Sequence, residues 1–478
     1  MRLSIGAAVV ALVVSVPAVA HAAATPGPGA PSGAPAAPPG AVLAALTPGM
    51  GPQPSRAGLG AKLAKLLANP NLGPSVGLSV VDVGTGAEVF SLNGGTPITP
   101  ASTTKVLTAA AALASLGPDA HLHTTVVQLP DGAATSSPTP IPSDAPGGSS
   151  TGPVPTIVLV GGGDPLLTSL PTGSNKIPDY PPRAHLDDLA QQTAKSLAAA
   201  GVHLVHLQYD SSIFAGPAAS PQWERGYTGD VVGPVMGLSA DQGRIAPLDG
   251  GRVNDPAGHT AAMFVDELRK ADIFVFGKPT GATAPKGLPT IADVSSGPLS
   301  AELEQMLVFS DNDIAEAMAR QVAVHDGLPG TFENGAAAVR NEVAKLGVDM
   351  SGVTTYDGSG LSRHDRIPPR VLAQTMAMAA TNVNDALRVL LAALAPAGVS
   401  GTLQLHFYDA KAQAARGLLR AKSGSLQGVV SLTGILPDAD GRLLSFDMAA
   451  DNVTGGLGRD ARVAIERVAA ALISCGCS

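Results

Sequence analysis

An α/β fold of the α+β kind is what this chain predicts: an antiparallel sheet built from both ends of the sequence, flanked by helices and interrupted by a large inserted region. Three observations carry that expectation. Each end of the chain pairs a helical apolar stripe with segments of strand-like alternation. The middle has its own strand–helix–strand succession, which folds by a βαβ-like logic. The 478 residues, 45% hydrophobic and only 14% charged, suffice for sizeable cores and exclude a wholly disordered chain. Lys and Arg number 30 against 38 Asp and Glu, and only 3% of residues are aromatic. Gripping nucleic acid takes the opposite sign and stacking rings, so nucleic acid is not an expected partner.

Arg2, an apolar run over residues 5–20 and the Ala20-His21-Ala22 cleavage pattern mark residues 1–22 as a signal peptide. The expected location is therefore outside the cytoplasm: periplasmic, cell-envelope or extracellular. Whether the segment is cleaved or kept as an anchor stays open. No cysteine follows the run, which excludes a lipoprotein. Residues 23–57 form a Pro/Ala/Gly-rich linker that cannot pack a core. From residue 58, Leu59, Leu63, Leu66 and Leu67 line one face of a helix ended by Asn69-Pro70. Residues 76–83 alternate as a strand, Gly84-Thr85-Gly86 turns, and residues 88–92 return. An Ala-rich helix follows from residue 100 and stops at Gly117-Pro118.

The inserted region spans residues 119–298, forming one or two extra domains. It holds strands at 156–160, 202–209 and 273–276, and helices at 186–199 and near 260–270. Within it, residues 130–155 are so rich in Ser, Thr, Pro and Gly that an exposed, flexible excursion is expected. Three strands, 417–423, 429–436 and 443–449, and a helix carrying Ile465, Val468, Ala469 and Leu472 close the chain. The two cysteines, Cys475 and Cys477, exclude a disulfide scaffold and a cysteine zinc cluster, and are expected as free thiols at a frayed end.

The chemistry begins at Ser102-Thr103-Thr104-Lys105. At i and i+3 a serine and a lysine share one helix face, and an amine kept neutral by burial can take a serine proton. A serine at a helix start is also a natural N-cap. Ser310-Asp311-Asn312 precedes a helical pattern with Glu316, and Lys422-Ser423-Gly424-Ser425 lies on the first C-terminal strand. Each motif alone is weak. Their order, S-x-x-K, S-D-N, K-[ST]-G, is shared by penicillin-binding proteins and class A β-lactamases. His121 and His123 could share a strand face, but no third ligand and no H-E-x-x-H accompany them, so a structural role is expected and no metal. Gly161-Gly162-Gly163-Asp164 lacks the Lys of a phosphate loop.

With VGLSVVDVGTG at 76–86, PASTTKVLTAAAAL at 100–113, GGGDPL at 161–166, SDNDIAE at 310–316 and DGSGLSR at 357–363, the chain resembles the class C low-molecular-mass penicillin-binding proteins. These are the D-alanyl-D-alanine carboxypeptidase/endopeptidases. The resemblance runs over residues 58–473; its one departure is Lys-Ser-Gly where Lys-Thr-Gly is usual, which keeps a hydroxyl. It implies a serine β-lactamase/transpeptidase-like domain, residues 58–118 and 299–478, split by the insert. It also implies peptidoglycan stem peptides ending in D-Ala-D-Ala as substrates, β-lactam antibiotics as acylating inhibitors, and no cofactor.

By the same resemblance Ser102 is the nucleophile and Lys105 its base, while Ser310 relays the proton and Asn312 holds Lys105 and the substrate amide. Lys422, Ser423, Gly424 and Ser425 receive the substrate: Lys422 its terminal carboxylate, the hydroxyls as further donors, with Ser102 and Ser425 N–H groups as oxyanion hole. Two other functions stand beside this one. A β-lactamase needs a deacylating carboxylate, and Glu342 lacks the E-x-x-L-N pattern; a silent wall-binding module would not need Ser102 and Lys105. Carboxypeptidase and endopeptidase action are both left open, and the residues of 357–363 have no derivable chemistry beyond rimming the site.

Overall fold

The computed structural model describes residues 51–130, 154–248, 251–381, 385–453 and 458–477. The signal peptide, most of the linker and nearly all of the 130–155 excursion lie outside the described residues.

Helix α1 (Arg56–Leu67) starts two residues before its apolar stripe because Ser55 accepts the Gly58 N–H as N-cap. It buries Leu59 and Leu63. Strands β1 (Ser75–Asp82) and β2 (Glu88–Leu92) form the expected hairpin. A single 3₁₀ turn, Ala101–Thr104, then leads into helix α2 (Lys105–Ser115). Ser102 is therefore not an N-cap: the turn has no side-chain cap, and its tighter winding precedes the α-helix. Small residues Ala109–Ala112 let α2 be buried all round.

The inserted region carries β3 (His123–Gln128), β4 (Thr156–Val160), α3 (Leu186–Ala199) and β5 (Leu204–Asp210). It continues with α4 (Pro256–Lys270), β6 (Phe274–Val275), β7 (Thr280–Gly281) and β8 (Thr290–Ser295). Strands β4 and β5 run parallel, joined by α3, which is the expected βαβ unit. The order β6-β5-β4-β3-β8 makes a second sheet wholly from residues 123–295. Its core packs α3 and α4 residues Leu186, Leu189, Phe264 and Leu268 on Val126, Leu159 and Leu207.

Then come α5 (Leu299–Phe309), α6 (Asn312–His325), α7 (Phe332–Lys345), α8 (Pro369–Ala380) and β9 (Ala395–Pro396). Strands β10 (Arg420–Leu426), β11 (Val429–Pro437) and β12 (Leu443–Asp451) and helix α9 (Arg459–Ile473) complete the chain. The main sheet runs β2-β1-β12-β11-β10-β9, antiparallel throughout, so strands from opposite ends of the chain are neighbours. Eight of nine β11 positions are buried, because both faces are covered. On one side lie α1 and α9, with Leu63, Val468 and Leu472 against Leu78 and Phe446. On the other lie α2, α6 and α8.

Two expectations are corrected. The strand placed at 417–423 is shifted to Arg420–Leu426. Gly417 adopts φ +74° and the amides of 418 and 419 bond back to Ala415, while Gly424 and Ser425 are drawn into the ladder opposite Ser431 and Val430. The cysteines are not a frayed thiol pair but a disulfide, with Cα atoms 5.0 Å apart and Cys475 buried. The Cys477 carbonyl accepts Ser55 N–H at 2.7 Å, which docks the chain end on the start of α1.

Candidate active site

Four elements converge on one cleft. The 3₁₀ turn and α2 bring Ser102 and Lys105 from one side, the α5–α6 junction brings Ser310 and Asn312, and β10 brings Lys422 to Ser425. The fourth element is the 357–363 loop. Ala101, just before Ser102, holds φ +52°, a conformation costly for a residue with a Cβ. Pro100 O is gripped by the hydroxyls of Thr103 (2.8 Å) and Ser431 (2.6 Å), which fixes this turn to β11.

Lys105 is fully buried. Its Nζ lies 3.1 Å from Ser102 Oγ, 2.7 Å from Asn312 Oδ1 and 2.8 Å from Ser359 O. Two of these partners are carbonyl oxygens and can only accept. A neutral Lys105 thus spends its two N–H bonds on Asn312 and Ser359, and its lone pair is left facing the one partner that can donate, the Ser102 hydroxyl. Burial pulls the Lys105 pKa down to about 8, against the pull of Glu316, Asp357, Asp311 and Asp313.

Lys422 is buried as well, and its Nζ donates to Ser310 Oγ (2.9 Å) and Ser423 O (2.6 Å). Burial, with the like charge of Lys105 second, pushes its pKa well below the ordinary range. Ser310 caps α5 in the left-handed region, φ +61°, which turns its side chain toward Lys422. Gly424 cannot carry a side chain: a Cβ would collide with Ser431 Oγ and sit 3.0 Å from Ser102 N. Its absence lets β10 run against the Ser102 turn. Ser423 Oγ donates to Thr402 Oγ1 (3.2 Å), while Ser425, next to Gly424 on β10, is exposed.

All eight residues singled out from the sequence are thus brought to this cleft. Asn312 holds Lys105 as expected, and its Nδ2 also donates to Val231 O (2.9 Å), a contact with the inserted region that sequence reasoning missed. Also missed are Gln242, whose amide donates to Asp311 (2.8 Å), and Arg252, paired with Asp313 at 2.9 Å. Burial pushes Asp313 up to about 6 in spite of Arg252. The 357–363 loop does more than rim the site, since Ser359 O holds Lys105. Asp357 organises it by accepting Gly360 N–H, Ser362 N–H and the indole N–H of Trp223, the single tryptophan.

The remaining motifs have structural partners. His121 donates to Ser296 O (2.7 Å), outside any strand, and His123 pairs with Asp293 (2.9 Å), so the two do not share a strand face. Gly162 is required because a Cβ there would strike His123 O, and Asp164 accepts the Leu166 N–H. Glu342 pairs with Lys345 on α7.

Comparison with known proteins gives the same direction. The model of the D-Ala-D-Ala carboxypeptidase 3 (S13) family matches residues 59–249 and 249–472. Carboxypeptidase DacB of Mycolicibacterium smegmatis is 37% identical over 489 residues, covering 100% of this chain and 97% of that protein. The D-alanyl-D-alanine carboxypeptidase of Actinomadura sp. strain R39 is 26% identical over 80% of both chains. Among solved structures, penicillin binding protein 4 of Haemophilus influenzae shares the fold, with a TM-score of 0.67 at 21% identity over 85% of this chain and 97% of its own. The family match spans both motif-bearing segments and the insert between them, and the chain belongs to the D-Ala-D-Ala carboxypeptidase 3 (S13) family.

Proposed function

We propose that this serine-type D-Ala-D-Ala carboxypeptidase works through an acyl-enzyme on Ser102, with peptidoglycan stem peptides as substrates and β-lactams as acylating inhibitors. One observation carries the reading: the lone pair of Lys105 has only the Ser102 hydroxyl to face. Lys105 takes the proton as Ser102 Oγ attacks the carbonyl of the penultimate D-Ala. The C–N bond then breaks, and the proton passes by way of Ser310 to the departing amine of the terminal D-Ala. Water adds to the ester, the acid leaves, and Ser102 regains its proton. The N–H groups of Ser102 and Ser425 serve the oxyanion, Asn312 holds Lys105 and the substrate amide, and Lys422 receives the terminal carboxylate, with the Ser423 and Ser425 hydroxyls beside it.

The proposed domain division, residues 58–118 and 299–478 as the penicillin-binding domain and 119–298 as the insert, is supported by the two separate sheets. Residues 1–22 export the chain to the cell envelope or beyond, and N-terminal sequencing of the mature protein checks this. The decisive test is fluorescent penicillin with intact-mass detection. Wild type should gain one adduct on Ser102, and Ser102→Ala none while staying folded. The adduct should outlast many peptidase turnovers, because the opened ring stays tethered and no dedicated deacylating carboxylate is expected; an absent base is worth about 10²–10⁴-fold. Fast, repeated turnover of penicillin would instead support a β-lactamase.

A further inference from the structure

We infer that Glu316 is a positioning residue for this reaction, its carboxylate holding the 358–359 backbone so that the Ser359 carbonyl fixes Lys105 Nζ against Ser102. The inference rests on Lys105 acting as the base. Glu316 lies one turn after Asn312 on α6, at i+4, so both side chains leave the same face. Asn312 grips Lys105 directly (2.7 Å); Glu316 reaches it through one intermediate. Glu316 Oε1 accepts Ser359 N–H at 2.8 Å, and its two oxygens accept Gly358 N–H at 3.2 and 3.1 Å. Ser359 O then accepts from Lys105 Nζ at 2.8 Å.

The loop has no slack with which to replace that anchor. A Cβ on Gly358 would lie 2.6 Å from Ala319 Cβ, so the backbone sits flush on α6. Gly360, at φ +80°, abuts Ala101 O in the Ser102 turn. From the α2 side, Thr108 Oγ1 donates to Gly358 O at 2.7 Å. Residues 358–360 form a wedge between α6 and the nucleophile turn, and the Glu316 carboxylate sets its depth. Carboxylates elsewhere in the cleft do other work: Asp357 shapes the loop from within, Asp311 caps α6, and Asp313 binds Arg252.

The same carboxylate acts on the charge of Lys105. Around Glu316 stand Arg320 on its own helix, Asp357 on the loop and Asp365 just after it, and Lys105 on α2; Glu333 faces Arg320, and Lys422 faces Lys105. Arg320 is held 3.8 Å over the Phe332 ring and 5.4 Å from that of Phe214. Burial, then Asp357, pushes Glu316 up to about 8, and Glu316 is the foremost charge holding the Lys105 proton on. Where Glu316 is ionised its charge helps to hold the Lys105 proton on, so removing that charge makes Lys105 easier to deprotonate.

The test is the pH profile of Ser102 acylation by penicillin, with fold checked by circular dichroism. Glu316→Gln keeps the volume and one acceptor but not the charge. It should move the acid limb of the profile down by about one pH unit. Glu316→Asp keeps the charge but is one methylene short of the loop. It should leave the limb in place and lower the plateau about tenfold or more. An unmoved limb in folded E316Q, or an undiminished plateau in E316D, overturns the inference. Should E316Q not fold, the E316D plateau alone decides. A wild type without an adduct on Ser102 would overturn the carboxypeptidase reading itself, and a wild-type adduct with unaltered variants only the role of Glu316.

Discussion

Two buried lysines face one cleft, and desolvation pushes both toward the neutral form with opposite consequences. For Lys105, the proposed base, neutrality is the working state. Its pKa of about 8 means that below pH 8 the protonated form dominates and the base is lost about tenfold per unit. Acylation of Ser102 should therefore rise with pH through about 8 and level off above it, which stopped-flow labelling across pH 6–10 measures; a flat profile would exclude Lys105 as the base. For Lys422, the proposed carboxylate anchor, the working state is the charged one. In the proposed role an arriving carboxylate favours the charged form that burial and Lys105 disfavour, so binding should raise the Lys422 pKa. Calorimetry of an acyl-D-Ala-D-Ala peptide binding to Ser102→Ala, in buffers of different ionisation heat across a range of pH, should show net proton uptake over the interval where Lys422 is neutral when free and charged when bound. Lys422→Ala should abolish that uptake and lower kcat/KM of the otherwise native enzyme at least tenfold, as a charged hydrogen bond is worth about 1.5–3 kcal/mol.

Elements, rather than single side chains, set the distances in this cleft. Strand β10 approaches the Ser102 turn because Gly424 leaves no Cβ between them. Gly424→Ala should force β10 off Ser431 and the 100–102 backbone, at a cost of about 1–3 kcal/mol for overpacking. Penicillin labelling should fall much further than the melting temperature suggests, since the proposed oxyanion donors, the Ser102 and Ser425 N–H groups, lie on the two elements being separated. Labelling that tracks the folded fraction would show that the close approach is not needed. Helix α6 is held in a comparable way. Its first turn carries Asp311, bonded to Gln242, and Asp313, paired with a nearly buried Arg252, so the inserted region fixes the residues flanking Asn312. None of this was legible in sequence, because Gln242 and Arg252 sit some 60–70 residues before the motif they serve. The S-x-x-K pair was legible because its spacing is local. The Ser359 carbonyl was not, because every residue has one, and only tertiary approach gives this one a lysine.

At the scale of the whole molecule, the strand alternation at both chain ends was enough to expect one shared sheet, and β1 does pair with β12 across the entire sequence. The βαβ succession of β4, α3 and β5 was equally plain, since strand and crossover helix each bury a continuous apolar face. What composition could not show is how the inserted region meets the cleft. Its 231–252 stretch reaches Asn312, Asp311 and Asp313. The described residues that flank 131–153 lie at the paired ends of β3 and β4. Strands β3 and β4 are antiparallel neighbours with Gln128 opposite Ile157, and Leu129 N–H donates to Thr156 O at 3.0 Å. The two ends of the excursion are already at the separation a short turn spans. Replacing residues 131–153 by a brief Gly/Ser turn therefore asks nothing of the sheet, and loop-closure entropy changes by only about 0.6 kcal/mol per doubling of length. The shortened protein should melt within about 3 °C of the full chain and label with penicillin at the same rate. An equivalent shortening of 231–252 should abolish labelling, because it removes the partners of Asn312 and Asp313. A large loss of stability on trimming 131–153 would show that this segment packs as part of a domain rather than bridging two strands.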